Sequence, residues 1–288
     1  MGTPNLFLAG FPKAGTTGLY YYLDAHPDVY CNPYIKEPRF FSSSYFNKKD
    51  RRFCRNIIMD EAKYLRLFRD SNDRKYIADG SVYYTHFRGI ASRIRDFSPD
   101  AKVILCIRNP VDRFRSHCMM EIKETGRDDS YRGFIDRPEL ESGVNILKAG
   151  MYAPAINEYY DVFGRDRVYI AVFDDLLDDI GGYYKGICDF LGIPFVPVED
   201  KIINESVILK NKFAMAFLRF VKRNVPGFLI RKMKFRTKLK FNDLFYKNTS
   251  AVNEPMPLEV RRELLEYYRD DIGKTGELIG RNLDGWLT

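Results

Sequence analysis

The feature that most constrains this chain is a glycine-containing loop between a strand and a helix near its N-terminus. The apolar run Asn5–Gly10 predicts a buried strand, and the pattern over Gly18–Asp24 predicts a helix. Between them lies Gly10-Phe11-Pro12-Lys13-Ala14-Gly15-Thr16-Thr17, called here the glycine loop (residues 10–17). In such a loop, free backbone N–H groups at the helix start point toward an anion, and the helix dipole adds to the attraction. The loop therefore predicts a phosphate-binding site.

Strand and helix patterns alternate along the chain, which predicts a parallel sheet covered by helices. Apolar, β-branched or aromatic runs indicate strands at Asn5–Gly10, Tyr76–Asp79, Lys102–Arg108 and Val168–Phe173. Helical patterns cover Thr16–Asp24, Asp60–Arg69, Phe87–Phe97, Val111–Glu124, Tyr152–Phe163, Leu176–Leu191 and Leu258–Ile279. The irregular stretches Cys31–Phe53 and Gly126–Gly143 are long for loops, so we expect them to border a functional site. We expect one α/β domain over residues 1–288, with a central parallel sheet flanked by helices.

The glycine loop departs from the pattern G-x-x-x-x-G-K-[ST] that binds nucleoside triphosphates. Gly10 and Gly15 keep their spacing, but Thr16 stands at the lysine position and the lysine is upstream, at Lys13. In addition, the predicted strand at 102–108 ends in Arg108, where nucleotide hydrolases commonly place an aspartate on Mg²⁺. These changes disfavour an ATP-dependent kinase and predict no metal site. A lysine with backbone donors suits transfer of a less charged group, such as sulfuryl.

A second anion site is predicted after the third strand. Arg108 ends that strand, and Pro110-Val111 opens a helix on which Ser116 returns about two turns later. An arginine at a strand end, combined with a hydroxyl at helical spacing, is suited to holding a second phosphate.

Together these motifs resemble those of sulfotransferases that use 3′-phosphoadenosine 5′-phosphosulfate (PAPS). Phe11–Thr17 looks like their 5′-phosphosulfate loop, and Arg108 with Ser116 looks like their 3′-phosphate motif. Weaker matches to the heparan-sulfate-type branch occur at Leu23–Val29, Lys36–Phe41, Gly150–Tyr152, Phe190–Gly192, Leu278–Leu283 and Trp286. The resemblance implies a P-loop-kinase-like α/β fold. It also implies transfer of a sulfuryl group from PAPS to a carbohydrate or glycoconjugate hydroxyl, which releases adenosine 3′,5′-bisphosphate.

The same resemblance implies which residues hold the donor. Lys13 would stabilise the transferring sulfuryl group and the leaving phosphate oxygen, without a metal. The implied donor-binding set comprises Lys13, Ala14, Gly15, Thr16, Thr17, Arg108 and Ser116.

Glu37 matches the position of the acidic residue proposed as general base in the glycan branch. A sugar hydroxyl is a poor nucleophile until a positioned carboxylate accepts its proton. Lys36, Glu37 and Arg39 are the expected acceptor-binding residues, and Lys36 is also placed to alter the pKa of Glu37. His86, and after it His117, is the alternative base, because the small-molecule branch uses histidine.

Two departures from the resemblance concern the acceptor and the compartment. The segment Asp79–Tyr84 lacks the lysine that glycan enzymes often have there, so we expect an acceptor contact to differ. The cysteine pair that staples a C-terminal loop in many animal glycan enzymes has no equivalent, since Cys188 is the last cysteine. That absence favours a cytoplasmic enzyme over one in the Golgi lumen, unless the chain is cut from a membrane-anchored parent.

The five cysteines themselves indicate buried apolar residues. They are widely spaced, form no C-x-x-C pair and have no nearby histidine at metal-ligand spacing. Neither a zinc site nor a disulfide framework is predicted.

The formal net charge of +7 comes from one basic segment. Residues 207–242 contain 11 lysines and arginines and no acidic residue, which favours an anionic partner. A solvated face is the simpler interpretation. Otherwise the segment would face either the 3′-phosphate side of the nucleotide or an acidic or membrane-linked acceptor. No nucleic-acid motif accompanies the segment. Two further functional alternatives remain: sulfation of a lipid, phenol or small alcohol, and a polyanion-binding or membrane-surface protein on an inactive scaffold. The sequence leaves the oligomeric state open.

Overall fold

Five parallel strands form one sheet at the centre of the structure, a computed structural model that describes residues 2–46, 57–125, 130–140, 143–197 and 255–288. The strands are β1 (Leu6–Gly10), β2 (Val29–Cys31), β3 (Tyr76–Asp79), β4 (Lys102–Ile107) and β5 (Val168–Val172). Their order across the sheet is β2-β3-β1-β4-β5, and every adjacent pair is parallel. The predicted parallel sheet is confirmed.

Helices cover this sheet, as the burial of its strands requires. Every residue of β1 and of β3 is buried. Since side chains alternate between the two faces of a strand, such strands need cover on both faces. The helices are α1 (Thr16–Ala25), α2 (Glu61–Arg66), α3 (Ile90–Phe97), α4 (Pro110–Thr125), α5 (Tyr131–Asp136), α6 (Ala153–Phe163), α7 (Phe173–Asp178), α8 (Ile180–Leu191) and α9 (Leu258–Ile279).

The structure corrects three of the sequence-based boundaries. The helix predicted over Leu176–Leu191 is two helices, α7 and α8, because Asp179 is extended and its side chain accepts a hydrogen bond from Gly182 N. The strand β2 was not predicted, because three residues carry too little periodicity. The stretch Gly126–Gly143 contains α5, which Ser130 caps by accepting from Gly133 N. By contrast, α9 begins and ends as predicted, and Gly280 follows it in the left-handed conformation.

The sheet order creates a switch point at the carboxyl end of β1. After β1 the chain forms β2 and β3 on one side, and then crosses to form β4 on the other side of β1. The carboxyl ends of parallel strands meet at one edge, and ligands of open α/β sheets bind there at such a switch point. The glycine loop, Asp79, Arg108 and Phe173 all follow strand ends at this edge.

The C-terminal helix α9 packs on α4 and α6 and supplies a buried cap to α6. Asp271 is 4% exposed, and its carboxylate accepts hydrogen bonds from Tyr152 N (2.6 Å) and Ala153 N (3.2 Å). These are N–H groups at the start of α6 that have no partner within the helix. A residue distant in sequence therefore fixes the start of α6.

Several expectations concern residues outside the described ranges. The basic segment 207–242 and Cys54 lie there, whereas the other four cysteines are buried thiols. Among the described helices, none is both long and apolar enough to cross a bilayer. The domain boundary at 1–288 stays a prediction.

We expect Asp271→Ala to lower the free energy of unfolding by about 2 kcal/mol, because two buried N–H groups lose their acceptor. Asp270, the exposed neighbour on the same helix, provides the matched control. Asp270→Ala should change stability by less than about 0.5 kcal/mol. Urea unfolding of both variants measures the difference, and equal stabilities would contradict the capping role.

Candidate functional site

The glycine loop has the backbone conformation of an anion cradle. Lys13 (φ 69°) and Gly15 (φ 84°) are both left-handed, and Gly15 is the N-cap of α1. A Cβ on Gly15 would lie 2.7 Å from Cδ2 of Phe173, so only glycine fits there. The first turn of α1 contains no acidic residue, so its positive dipole end is left for a ligand.

Phe173 joins the glycine loop to the second predicted anion site. Its ring touches the Gly15 position, and the guanidinium carbon of Arg108 lies 4.6 Å from its centroid. Gly15 and Arg108, which are more than 90 residues apart in sequence, therefore both lie against one aromatic ring. This brings together one residue from each of the two predicted anion sites.

Hydrogen bonds from other elements fix the backbone of Arg108 and the side chain of the next residue, Asn109. The hydroxyl of Tyr152, at the start of α6, donates to Arg108 O at 2.7 Å, and the amide of Asn109 donates to Trp286 O. Burial lowers the pKa of the Arg108 guanidinium, which remains charged at neutral pH. A partly desolvated arginine attracts an anion more strongly than a hydrated one. Ser116 is half-buried, six residues into α4.

The segment 36–41 is hydrogen-bonded to the two residues that follow β3. Gly80 N donates to Lys36 O (3.1 Å), and Arg39 N donates to the Ser81 hydroxyl (2.9 Å). At the other end of the segment, Phe40 stacks on Tyr64 with ring centroids 4.4 Å apart. Backbone hydrogen bonds and aromatic burial together fix the position of the intervening Glu37.

Lys36 connects Glu37 to the glycine loop. It is 7% exposed, and its Nζ donates to the hydroxyl of Thr16 (3.2 Å) and to Oε1 of Glu37 (3.4 Å). This places a lysine ammonium next to the very residue that replaces the loop lysine of triphosphate-binding proteins. The assignment of Lys36 and Arg39 to acceptor binding stays a prediction.

Packing leaves no room for a side chain at position 80, where the sequence departs from the resemblance. A Cβ on Gly80 would lie 2.9 Å from Cγ of Lys36 and 2.9 Å from Cδ2 of Tyr20. A residue with a side chain at this position would require Lys36 or Tyr20 to shift.

Glu37 is ionised at neutral pH. Burial by itself would raise its pKa, but the charges of Lys36 and Arg39 and their hydrogen bonds outweigh burial, so the pKa is lowered. Arg39 contributes a hydrogen bond from its guanidinium to Oε2 at 3.1 Å. The predicted effect of Lys36 on the pKa of Glu37 is confirmed, and the carboxylate is in the state that a base requires.

The two histidines considered as alternative bases lie in cationic surroundings. Burial, together with Arg113 and Arg39, lowers the pKa of His86 to about 3. Burial lowers the pKa of His117 well below 6.5, and the charges of Arg113 and Lys13 lower it further. Both imidazoles are therefore neutral at pH 7.

Asp79 forms a buried network behind segment 36–41. Its carboxylate accepts hydrogen bonds from the hydroxyls of Tyr64 and Tyr84 (2.8 Å each) and from the N–H and hydroxyl of Ser81. The Ser81 oxygen in turn accepts from the backbone of Arg39. Burial raises the pKa of Asp79 to about 6 despite these donors. Asp79 therefore supports the turn that carries Glu37 without facing solvent.

Sequence reasoning missed three of these residues. Phe173 follows the last strand at the carboxyl edge, so the strand-end rule was a usable signal for it. Asp79 also ends a strand, yet nothing in the sequence indicated that Tyr64 and Tyr84 would surround it. Arg113 gave no signal, because a charged residue in a helix is ordinarily exposed. Within the described part of the chain, no group of three or more His, Cys, Asp or Glu residues is placed to hold a metal.

Comparison with known proteins agrees with this geometry. The profile of the Sulfotransferase family matches residues 4–197. Human heparan sulfate glucosamine 3-O-sulfotransferase 6 is 28% identical over 201 residues, which are 69% of this chain and 54% of that protein. Mouse heparan sulfate glucosamine 3-O-sulfotransferase 3B1 is 23% identical over 292 residues, covering 98% of this chain and 65% of the relative. The chain thus spans between about half and two thirds of these relatives.

A solved structure is also similar over its full length. The crystal structure of a sulfotransferase from Alicyclobacillus acidocaldarius matches with a TM-score of 0.76 and 26% identity, and covers 100% of both chains. The fold predicted from the glycine loop is therefore confirmed by comparison as well as by topology.

We expect the stability of this protein to depend on pH through Asp79. Its pKa of about 6 in the folded state lies above the ordinary 3.8, so folding favours the protonated form. The contribution to stability is fully present below about pH 4 and is lost as the pH rises through 6, by up to about 3 kcal/mol.

Asp79→Asn is the matched variant, because the amide cannot ionise. Urea unfolding of both proteins between pH 4 and 7 gives their stability difference at each pH. We expect that difference to shift in favour of the variant as the pH rises. A difference that stays constant over this range would contradict the assignment.

Proposed function

We propose that this chain, which belongs to the sulfotransferase family of transferase enzymes, moves a sulfuryl group from PAPS to a hydroxyl of a carbohydrate or glycoconjugate. The observation that carries the proposal is the contact chain from Thr16 through Lys36 to Glu37. It joins the glycine loop to an ionised carboxylate. A donor bound in the glycine loop would therefore lie within one side-chain length of Glu37.

The glycine loop and Arg108 suit the two phosphate groups of the donor. Backbone N–H groups at the start of α1 and the ammonium of Lys13 would hold the 5′-phosphosulfate. Arg108, across Phe173, would hold the 3′-phosphate together with Ser116. Lys13, Ala14, Gly15, Thr16, Thr17, Arg108 and Ser116 thus form the proposed donor site.

The transfer itself would be an in-line displacement at sulfur. The acceptor oxygen forms a bond to sulfur while the bond from sulfur to the 5′-phosphate oxygen breaks, which releases adenosine 3′,5′-bisphosphate. Glu37 takes the proton of the attacking hydroxyl. Lys13 stabilises the charge that develops on the leaving phosphate oxygen, as preorganised cations do in related group transfers.

The relatives named above support a carbohydrate acceptor. Both are named for sulfation of heparan sulfate glucosamine, and the described site residues lie within the matched region 4–197. A lipid, phenol or small alcohol is the competing acceptor class. The cytoplasmic compartment and the use of an anionic or membrane-linked acceptor stay predictions.

We expect Lys13→Ala and Arg108→Ala each to weaken binding of adenosine 3′,5′-bisphosphate roughly 10- to 100-fold, the cost of one charge-assisted hydrogen bond. Glu37→Gln should leave that binding unchanged, because Glu37 faces the acceptor. Titration calorimetry measures all three, with the exposed Arg66→Ala as control. Unchanged binding in both donor-site variants would overturn the donor assignment.

Transfer of ³⁵S from labelled PAPS to a panel of glycans, lipids and phenols identifies the acceptor class. We expect label on a glycan, and a rate reduced about 10²- to 10⁴-fold in Glu37→Gln. Label only on lipids or phenols would overturn the carbohydrate assignment and leave the donor chemistry standing. An undiminished rate in Glu37→Gln would show that another group is the base.

The pH dependence of transfer tests the electrostatics of Glu37. Because its pKa is lowered, Glu37 should keep kcat/KM level as the pH falls from 7.5 toward 5.5. Lys36→Met removes a neighbouring positive charge and should raise the pKa of Glu37, which moves the acid limb to higher pH. The exposed Lys63→Met is the control. An acid limb at the same pH in Lys36→Met and wild type would contradict this interpretation.

A further inference from the structure

A buried histidine and a buried arginine on α4 are not used by the mechanism above. Arg113 and His117 stand one turn apart on α4, and each is 0% exposed. The NH1 group of Arg113 lies 3.1 Å from Nδ1 of His117, and its NH2 group donates to Ile146 O. Within the described part of the chain, Arg113 forms no ion pair with a carboxylate.

The contact with Arg113 fixes which nitrogen of His117 carries the proton. A guanidinium can only donate hydrogen bonds, so Nδ1 of His117 accepts and the ring proton of the neutral imidazole is on Nε2. Burial and the charges of Arg113 and Lys13 lower the pKa of His117 and keep the ring neutral. His117 is therefore an N–H donor and cannot take a proton from a substrate.

The Nε2–H group of His117 is buried and has no hydrogen-bond partner among the described residues. A buried donor without an acceptor costs free energy, so a ligand that brings an acceptor to this group would be stabilised there. The charge of Lys13, in the glycine loop, also acts on the His117 ring and lowers its pKa. The positive charges of Lys13 and Arg113 both favour an anion near His117. The neutral Nε2–H group would add a hydrogen-bond donor for that anion without adding another charge.

We propose that Nε2–H of His117 donates a hydrogen bond to a phosphosulfate oxygen of the donor held by Lys13, and that Arg113 is the positioning residue that fixes its tautomer. This inference rests on the proposed function. It assigns to His117 a role in stabilising the charge of the transferring group. It also excludes His117 as the base, since its remaining nitrogen already carries the proton.

The chain has only three histidines, so ¹⁵N-histidine NMR of the full protein is practical. We expect His117 to remain the Nε2–H tautomer from pH 5.5 to 8, and its Nε2 signal to shift when PAPS is added. PAPS binding by calorimetry without a shift overturns this inference alone. No PAPS binding at all overturns the proposed function and this inference together.

Two amide variants of His117 distinguish hydrogen-bond donation by its Nε2–H group from a role in packing alone. The glutamine amide reaches the Nε2 position, whereas the shorter asparagine amide reaches only Nδ1. With the glycan acceptor, His117→Asn should lower kcat roughly 10- to 100-fold with little change in KM, and His117→Gln should retain most activity. Equal activity in the two folded variants overturns the inference.

Arg113→Met tests the positioning role. Without the guanidinium, the His117 signals should show a mixture of the two tautomers. A pure Nε2–H signal in that variant overturns the role of Arg113. If the variant does not fold, the wild-type spectra and the two His117 variants still decide the proposal.

Discussion

The parallel alignment of β3, β1, β4 and β5 is the constraint on which the rest of the structure depends. Parallel strands end at one edge, so the glycine loop, Asp79, Arg108 and Phe173 meet although they are spread over 160 residues of sequence. Full burial of β1 on both faces keeps this edge rigid, because helices on either side prevent the strands from shifting. The site is therefore as well fixed as the sheet itself.

Positive charge is concentrated on the side of the site that holds Glu37. Lys36 and Arg39 form ion pairs with its carboxylate, and the charges of Arg113 and Lys13 act on His117. The effects on the titratable groups are consistent. The same surplus of cations keeps Glu37 ionised and the two imidazoles neutral. In a partly buried environment these charges are weakly screened, so each protonation state is set by neighbours rather than by solvent.

The C-terminal elements, α9 and the residues after it, stabilise the position of the site residues although none of them is proposed to contact the substrate. Asp271 on α9 caps α6, and the hydroxyl of Tyr152 at the start of α6 binds the backbone of Arg108. Trp286 accepts from Asn109 through its carbonyl and donates through its indole to Asp174, which follows Phe173. The segments around Arg108 and Phe173 are thus both hydrogen-bonded to elements that the last 30 residues fix in place. This is consistent with a sequence resemblance that includes residues 278–286.

The sequence by itself determined four of the five strands, the glycine loop, the final helix and the choice of Lys13 and Arg108 as candidate site residues. These follow from local patterns, since periodicity, strand ends and loop spacing are encoded in neighbouring residues. Glu37 was identified through the resemblance to the glycan sulfotransferases. Only the tertiary structure decided that Lys36 contacts Thr16, that Gly80 must lack a side chain, and that Arg113 sets the protonation of His117. Those facts depend on which distant segments pack together and on how much solvent they exclude. No pattern along the chain records either quantity.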